Sequence, residues 1–307
     1  MKQPASAPDM ATIISTTLRY CRPLEATETL SIKVHKKDTR RVYVLKVFLN
    51  EEDYLDEQKL RHLKVIPGSP FFSGLKFSFQ RDYYHYLVSD FRPCGDLSCH
   101  LKQEGQFSGE RSKFYIAELI LALKCLHEKD IVYRSIRPEK VLLDAQGHIA
   151  LYDFRLSKGG LASRERTRTI CGTPEYMAPE MLLDGSGYTN LVDFWSLGIL
   201  FFEMCCGQSP FHAEDVRQIY DNIAYGEFLA PPNTFSDAAR SFLHGLLEKD
   251  PERRLGGEGG TEELKRHPFF VGTDWAALSM KIATPLFQPK LSSEADLFYF
   301  EARSMFE

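Results

Sequence analysis

The stretch "VYRSIRPEKVLLD", residues 132–144, decides the fold. Its flanks, "IVYR" and "VLLD", read as short strand pieces around a loop. The loop holds Ser135 at its centre, with Arg134, Arg137 and Lys140 around it and Pro138 fixing the turn. A basic loop with only a hydroxyl at its centre raises the question of what chemistry it can serve.

Upstream, "SKFYIAELILALKCLHEKD" (112–130) has the length and apolar density of a helix buried on most of its circumference. Downstream, "IALYDF" is strand-like, and the chain to about residue 270 reads as helices separated by Gly/Pro loops. The run "LGILFFEMCC" (197–206) is apolar, but Asp193 precedes it, Glu203 interrupts it, and Gly207 and Pro210 follow. It fits a buried helix rather than a membrane span. The first ninety residues have another texture. "TLSIKVHKKDTRRVYVLKVFL" (29–49) reads as two strands around the turn "KKDT", and "EEDYLDEQKLRHLKV" (51–65) as a helix ended by "IPGSP". "FSFQRDYYHYLVSDF" (77–91) reads as a further hairpin.

The 307 residues are 43% hydrophobic and 26% charged, with a net charge of -4, which fits a globular protein and gives no reason to invoke nucleic acid. Seven cysteines without zinc-ligand spacing point to a reducing compartment, cytoplasmic or nuclear. The N-terminus lacks the apolar run of a signal peptide. The expected organisation is a loose segment 1–14, a β-rich lobe 15–91, a helical lobe 92–270 and a tail 271–307.

Single motifs here are weak; their order is not. "VYVLK" (42–46), a helix carrying Glu57, "VYRSIRPEKVLL", "YDFRLSK" (152–158), "TICGTPEYMAPE" (169–180), "DFWSLGIL" (193–200) and "DPERRLGG" (250–257) follow one another in one chain. On these motifs the chain resembles the protein kinases, and through "VYR", "CGTPEYMAPE" and "RLGG" the AGC group of Ser/Thr kinases, over about residues 20–307. The resemblance implies an α+β bilobal kinase fold with an AGC-type tail. It implies Lys46 as the phosphate-binding lysine with Glu57 as its partner, Asp153 as a metal-binding acid, and Asp90 and Phe300 at the nucleotide site. It also implies Thr169 as a regulatory phosphorylation site received by Arg134, and Glu180, Asp193 and Arg254 as scaffold residues. Glu180 should pair with Arg254, and Asp193 should brace the loop backbone.

The chain departs from the family pattern where the chemistry lies. The glycine positions of the phosphate loop fall near Leu24, Ala26 and Thr29 in "PLEATETL", which has no glycine and carries Glu25 and Glu28. Ser135 takes the catalytic-base position, and loss of a general base costs about 10²–10⁴ in rate. Lys140 takes the place of the second metal ligand, and an ammonium has three donors and no acceptor. Arg155 replaces the glycine of "DFG", and Arg137 a lysine that contacts the transferred phosphate.

The expected function is therefore a pseudokinase acting as a binding or allosteric module for a protein partner. The alternative is a weakly active ATP-dependent Ser/Thr kinase using Lys46 and Asp153. ATP has a place in both readings; Mg²⁺ is disfavoured in the first, and Lys140 and Arg155 raise the option of cations standing in for the metal. The tail "PLFQPKLSSEADLFYFEARSMFE" stops short of the family's terminal hydrophobic motif, which leads us to expect a groove on the β-rich lobe open to a partner's aromatic segment.

Overall fold

The computed structural model describes residues 18–26, 30–36, 41–49, 69–81, 84–160, 165–183, 185, 187–231 and 234–290. The helix expected at 51–65 with Glu57, the tip of the first hairpin turn, and the tail residues with Phe300 lie outside the described residues. The chain divides into two compact units, Met1–Asp56 with Ser73–Arg92, and Glu57–Phe72 with Pro93–Glu307.

The first unit is built on a five-stranded antiparallel sheet in the order β1-β2-β3-β5-β4. Its strands are β1 (Leu18–Ala26), β2 (Leu30–Lys36), β3 (Val42–Leu49), β4 (Leu75–Arg81) and β5 (Tyr84–Asp90). The period-two pattern of β3 explains its place. Tyr43 and Leu45 turn to a small core with Val34 and Val88, and Val47, Phe79 and Tyr86 pack around it. The segment expected to hold the phosphate loop is strand on both sides. β1 pairs as far as Ala26↔Leu30, with register shifts at Tyr20/Arg22 and Pro23/Glu25.

The second unit takes in Phe71 and Phe72, which the sequence places in the β-rich lobe. Both rings are buried in the helical core, and the Leu151 N–H donates to the Phe71 carbonyl at 2.8 Å. This unit begins with α1 (Leu97–Glu104) and α2 (Gly109–His127). Asp96 caps α1 by accepting from the Cys99 N–H at 3.0 Å, and Ser108 caps α2 by accepting from the Arg111 N–H at 3.3 Å. A two-stranded hairpin follows, β6 (Val141–Leu143) with β7 (Ile149–Leu151). "IVYR" is not a strand: Val132 makes one isolated bridge, to Lys158, because the backbone turns at Arg134, where φ is 60°.

The remaining helices are α3 (Pro179–Leu182), α4 (Leu191–Cys206), α5 (Val216–Ala224), α6 (Asp237–Leu246), α7 (Gly260–Arg266) and α8 (Trp275–Ser279). α4 is apolar all round and central, burying Phe194, Trp195, Phe201 and Phe202. Gly198 lets it approach α6: a Cβ there would lie 2.9 Å from Leu246 Cβ and from Leu247 Cδ2. Gly207 ends it in the left-handed region at φ 78°, its N–H returning to the Glu203 carbonyl. Among the described residues no helix is long and apolar enough to cross a membrane.

Candidate functional site

The β6–β7 register builds the site. Val141 pairs with Leu151, so the residues just outside that pair, Lys140 and Tyr152, are neighbours, and the Tyr152 N–H donates to the Lys140 carbonyl at 3.3 Å. Asp153 comes next, held at φ 63°, a left-handed conformation uncommon for a non-glycine residue. Its carboxylate lies between two cations. Lys140 Nζ donates to Oδ2 at 2.5 Å, Arg155 Nε to Oδ1 at 2.6 Å, and Arg155 Nη2 to Oδ2 at 2.7 Å. The Asp153 side chain is 5% exposed, that of Lys140 10% and that of Arg155 24%. The Lys140 ammonium also lies 5.5 Å from the Tyr152 ring centroid.

Mg²⁺ asks for carboxylate oxygens with bare lone pairs at about 2.0–2.1 Å in octahedral array. Here both oxygens of Asp153 already accept charge-assisted hydrogen bonds, and the neighbouring position supplies an ammonium instead of an oxygen. The residues present do not fit the metal.

Asp193, in the first turn of α4, lies beneath the loop and is fully buried. Its Oδ2 accepts from the Tyr133 N–H at 2.9 Å and from His127 Nε2 at 2.8 Å, and its Oδ1 from the Arg134 N–H at 2.7 Å. These bonds hold Arg134 at φ 60° and so set the backbone that leads to Ser135. Ser135 is buried in a small recess with Arg137, Gly172 and Thr173, where Arg137 Nη1 donates to Thr173 Oγ1 at 2.7 Å.

Arg134 and Thr169 meet through a residue that the sequence did not suggest. Tyr188 donates its hydroxyl to the Thr169 carbonyl at 2.5 Å and accepts from Arg134 Nη1 at 2.9 Å. Burial pushes the Tyr188 phenol up to about 12, so it stays protonated and able to donate. Arg134 Nε also donates to the Leu156 carbonyl at 2.6 Å, and the Thr169 side chain is exposed.

Glu180 and Arg254 form a buried two-pronged pair, at 2.6 and 2.8 Å. In the sheet unit, Lys46 sits mid-β3, opposite Ser31 and Leu87, and Asp90 ends β5 in ion pairs with Lys76 at 2.9 Å and Arg41 at 3.3 Å. Glu57 and Phe300 lie outside the described residues.

A second feature escaped the motifs. Glu203 accepts from the Tyr176 hydroxyl, and burial pushes its carboxyl up to about 8, with the Glu139 and Glu175 carboxylates adding to the shift. Its signal in the sequence was the single acid inside "LGILFFEMCC". The folded-state pKa lies above the ordinary 4.5, so the fold favours the protonated acid. That contribution to stability is complete below about pH 4.5 and is lost as pH rises through 8. Glu203→Gln should therefore raise the melting temperature relative to the parent at pH 9 and leave the difference near zero at pH 5. A difference that does not grow with pH would count against a protonated Glu203.

A two-unit chain with this sheet, this hairpin and this loop has the architecture of a protein-kinase domain. The family model described as "Protein kinase domain" matches residues 21–270, and the chain belongs to the protein kinase family. It is 50% identical over 278 residues to the "Serine/threonine-protein kinase SCH9" of Candida albicans, covering 88% of this chain and 35% of that protein. The protein of the same name from Saccharomyces cerevisiae gives 50% over 278 residues, 88% of this chain and 33% of that one. The "Serine/threonine-protein kinase sck1" of Schizosaccharomyces pombe gives 51% over 247 residues, 80% and 36%. The chain thus spans about a third of the length of these curated relatives.

The expected α+β kinase fold holds, and the matches support an AGC-type Ser/Thr kinase domain. They do not support the pseudokinase expectation: the relatives are named as kinases, which favours the alternative of an active enzyme. The family implies ATP, as a rule with Mg²⁺, and the comparisons give no backing to the expected lack of the metal. That expectation rests on the donor set around Asp153 alone.

Proposed function

We propose that this chain is an AGC-type Ser/Thr protein-kinase domain impaired in phosphoryl transfer, acting in an intracellular compartment as a binding or allosteric module for a protein partner. One observation carries the reading: Lys140 and Arg155 occupy the Asp153 carboxylate that the family gives to a metal. Phosphoryl transfer is mainly positioning and charge stabilisation, and both need an acid, a metal and a covered phosphate. Ser135 cannot supply the acid. The docking of a partner's aromatic segment on the sheet unit, the roles of Lys46, Glu57, Asp90 and Phe300 toward ATP, and phosphorylation at Thr169 remain part of this proposal.

A second reading, a weakly active ATP-dependent Ser/Thr kinase using Lys46 and Asp153, is favoured by the names of the relatives, and the comparisons back it better than they back the module. Transfer of labelled γ-phosphate from ATP with Mg²⁺ or Mn²⁺ separates the two. The module reading expects no transfer, to itself or to a generic protein substrate, above the Lys46→Ala variant. Reproducible metal-dependent autophosphorylation, lost in Lys46→Ala, would establish the second reading.

A further inference from the structure

We propose that Thr284 is a phosphorylation site for a separate, proline-directed Ser/Thr kinase, and that its phosphate releases the segment 281–287 from the helical unit. The inference holds whether or not this chain itself transfers phosphate. Ser/Thr-Pro pairs stand at Ser69, Thr173, Ser209 and Thr284. Ser209 is buried, Ser69 and Thr173 are half-buried, and Thr173 Oγ1 accepts from Arg137, whereas Thr284 is exposed. From Lys281 to Lys290 exposure alternates residue by residue, the pattern of an extended strap with one face on the protein. Thr284 faces outward with its neighbours Ile282 and Leu286, which are 68% and 64% exposed. Pro285 faces inward and is buried.

Two anchors hold the strap. Lys281 Nζ donates to Asp144 Oδ2 at 3.1 Å and to the Ile149 carbonyl at 2.8 Å, across the turn between β6 and β7. The Phe287 ring meets the His100 ring edge-on, with centroids 5.0 Å apart, and lies 4.0 Å from the Arg111 guanidinium. The same guanidinium lies 3.9 Å from the Phe107 centroid, so Phe287 extends an aromatic and cationic cluster of α1 and α2. Gly147, at φ 97°, lets the strap lie flat on the turn: a Cβ there would run into the Phe287 carbonyl oxygen and sit 3.3 Å from Pro285 Cβ.

An enzyme that reads a Thr-Pro pair has to take hold of the proline. With Pro285 buried, it acts on the lifted strap, and docking masks the site. Transfer joins Thr284 Oγ1 to the γ-phosphorus of ATP and breaks the bond from that phosphorus to the β,γ-bridging oxygen. ADP leaves, and the hydroxyl proton passes to the base of the modifying kinase. The phosphate carries a charge of about −1.5 to −2. It stands roughly 10 Å along an extended chain from Lys281. There it competes with Asp144 for the Lys281 ammonium through charge-assisted hydrogen bonds. It also sets its own charge against the Asp144 carboxylate, whose side chain is 10% exposed. Both effects oppose redocking.

The test uses the full chain carrying Lys46→Ala, so that self-phosphorylation does not contribute. It is treated with ATP, Mg²⁺ and a purified mitogen-activated protein kinase, and a synthetic peptide of residues 278–292 serves as the undocked reference. The peptide should be modified at Thr284, and mass spectrometry should place the phosphate of the chain there and not at Ser69, Thr173 or Ser209. Adding Phe287→Ala or Lys281→Ala should speed modification of the chain by about tenfold, toward the rate of the peptide. Amide exchange in the phosphorylated chain should rise by about tenfold or more at Asp144 and Gly147, whose N–H groups close the turn, and stay unchanged at Leu119 and Ile199. Any of three results would overturn the proposal. They are a peptide left unmodified at Thr284, equal rates for the chain with and without both anchor substitutions, and a Thr284-phosphorylated chain whose turn amides exchange as before.

Discussion

Glu180→Gln should lower the stability of the helical unit by about 3–5 kcal/mol, a fall of roughly 10 °C in its melting temperature. Arg254 is 1% exposed, and its guanidinium is held on both prongs by Glu180 at 2.6 and 2.8 Å. It also donates to the carbonyls of Glu248 at 2.9 Å and Leu191 at 3.1 Å, and lies 5.2 Å from the Trp195 ring centroid. The carbonyls and the ring cannot neutralise it. Removing the carboxylate leaves a full charge inside the core, and that uncompensated charge carries most of the cost. Arg254→Lys should cost distinctly less, because the ammonium still neutralises the carboxylate and loses only the fork geometry. The pair Glu180→Leu with Arg254→Met removes both desolvation penalties and should recover much of the loss. Thermal and urea unfolding followed by circular dichroism measure all four proteins. A double variant no more stable than the singles would refute the account.

The elements that were legible in the sequence are those whose pattern is local. α2 and α4 announce themselves by length and apolar density, and β4–β5 by alternation around a short turn. The α+β fold class followed from the order of motifs. What the sequence does not hold is register and distance. Nothing in "EKVLLD" or "LYDFR" says that Val141 pairs with Leu151, and only that pairing brings the Lys140 ammonium onto Asp153. Tyr188 was invisible for the same reason: it lies 54 positions from Arg134, and an isolated bridge with Thr167 brings it in. Phe71 and Phe72 precede the strands of β4–β5 in sequence, while their burial groups them with Leu151 and Phe154, a contact that sequence order does not reveal. Glu203 left a trace, a lone acid in an apolar run, but its neighbours Glu139, Glu175 and Tyr176 come from three separate segments.

The second large effect is expected at Asp193. Asp193→Ala should cost about 3–5 kcal/mol, since it strands the buried Tyr133 N–H, the part-buried Arg134 N–H and the His127 ring. The backbone at Arg134 adds to this. A non-glycine residue at φ 60° persists only where its surroundings enforce it, and the Asp193 carboxylate is the group that grips the Arg134 N–H. Without it the segment from Tyr133 to Arg137 is free to relax toward an ordinary conformation, moving Ser135 and the start of the turn that carries Lys140. Asp193→Asn sharpens the argument. Its amide keeps one oxygen, so it can serve either the Oδ1 or the Oδ2 side, but its NH₂ must then face a donor on the other. Amide hydrogen exchange distinguishes this from simple loss of packing. In Asp193→Asn, protection should fall at Tyr133 or Arg134 by much more than at Leu119 or Ile199 in the helices beneath. Equal loss at all four amides would mean that Asp193 stabilises the unit as a whole and does not specifically hold the loop.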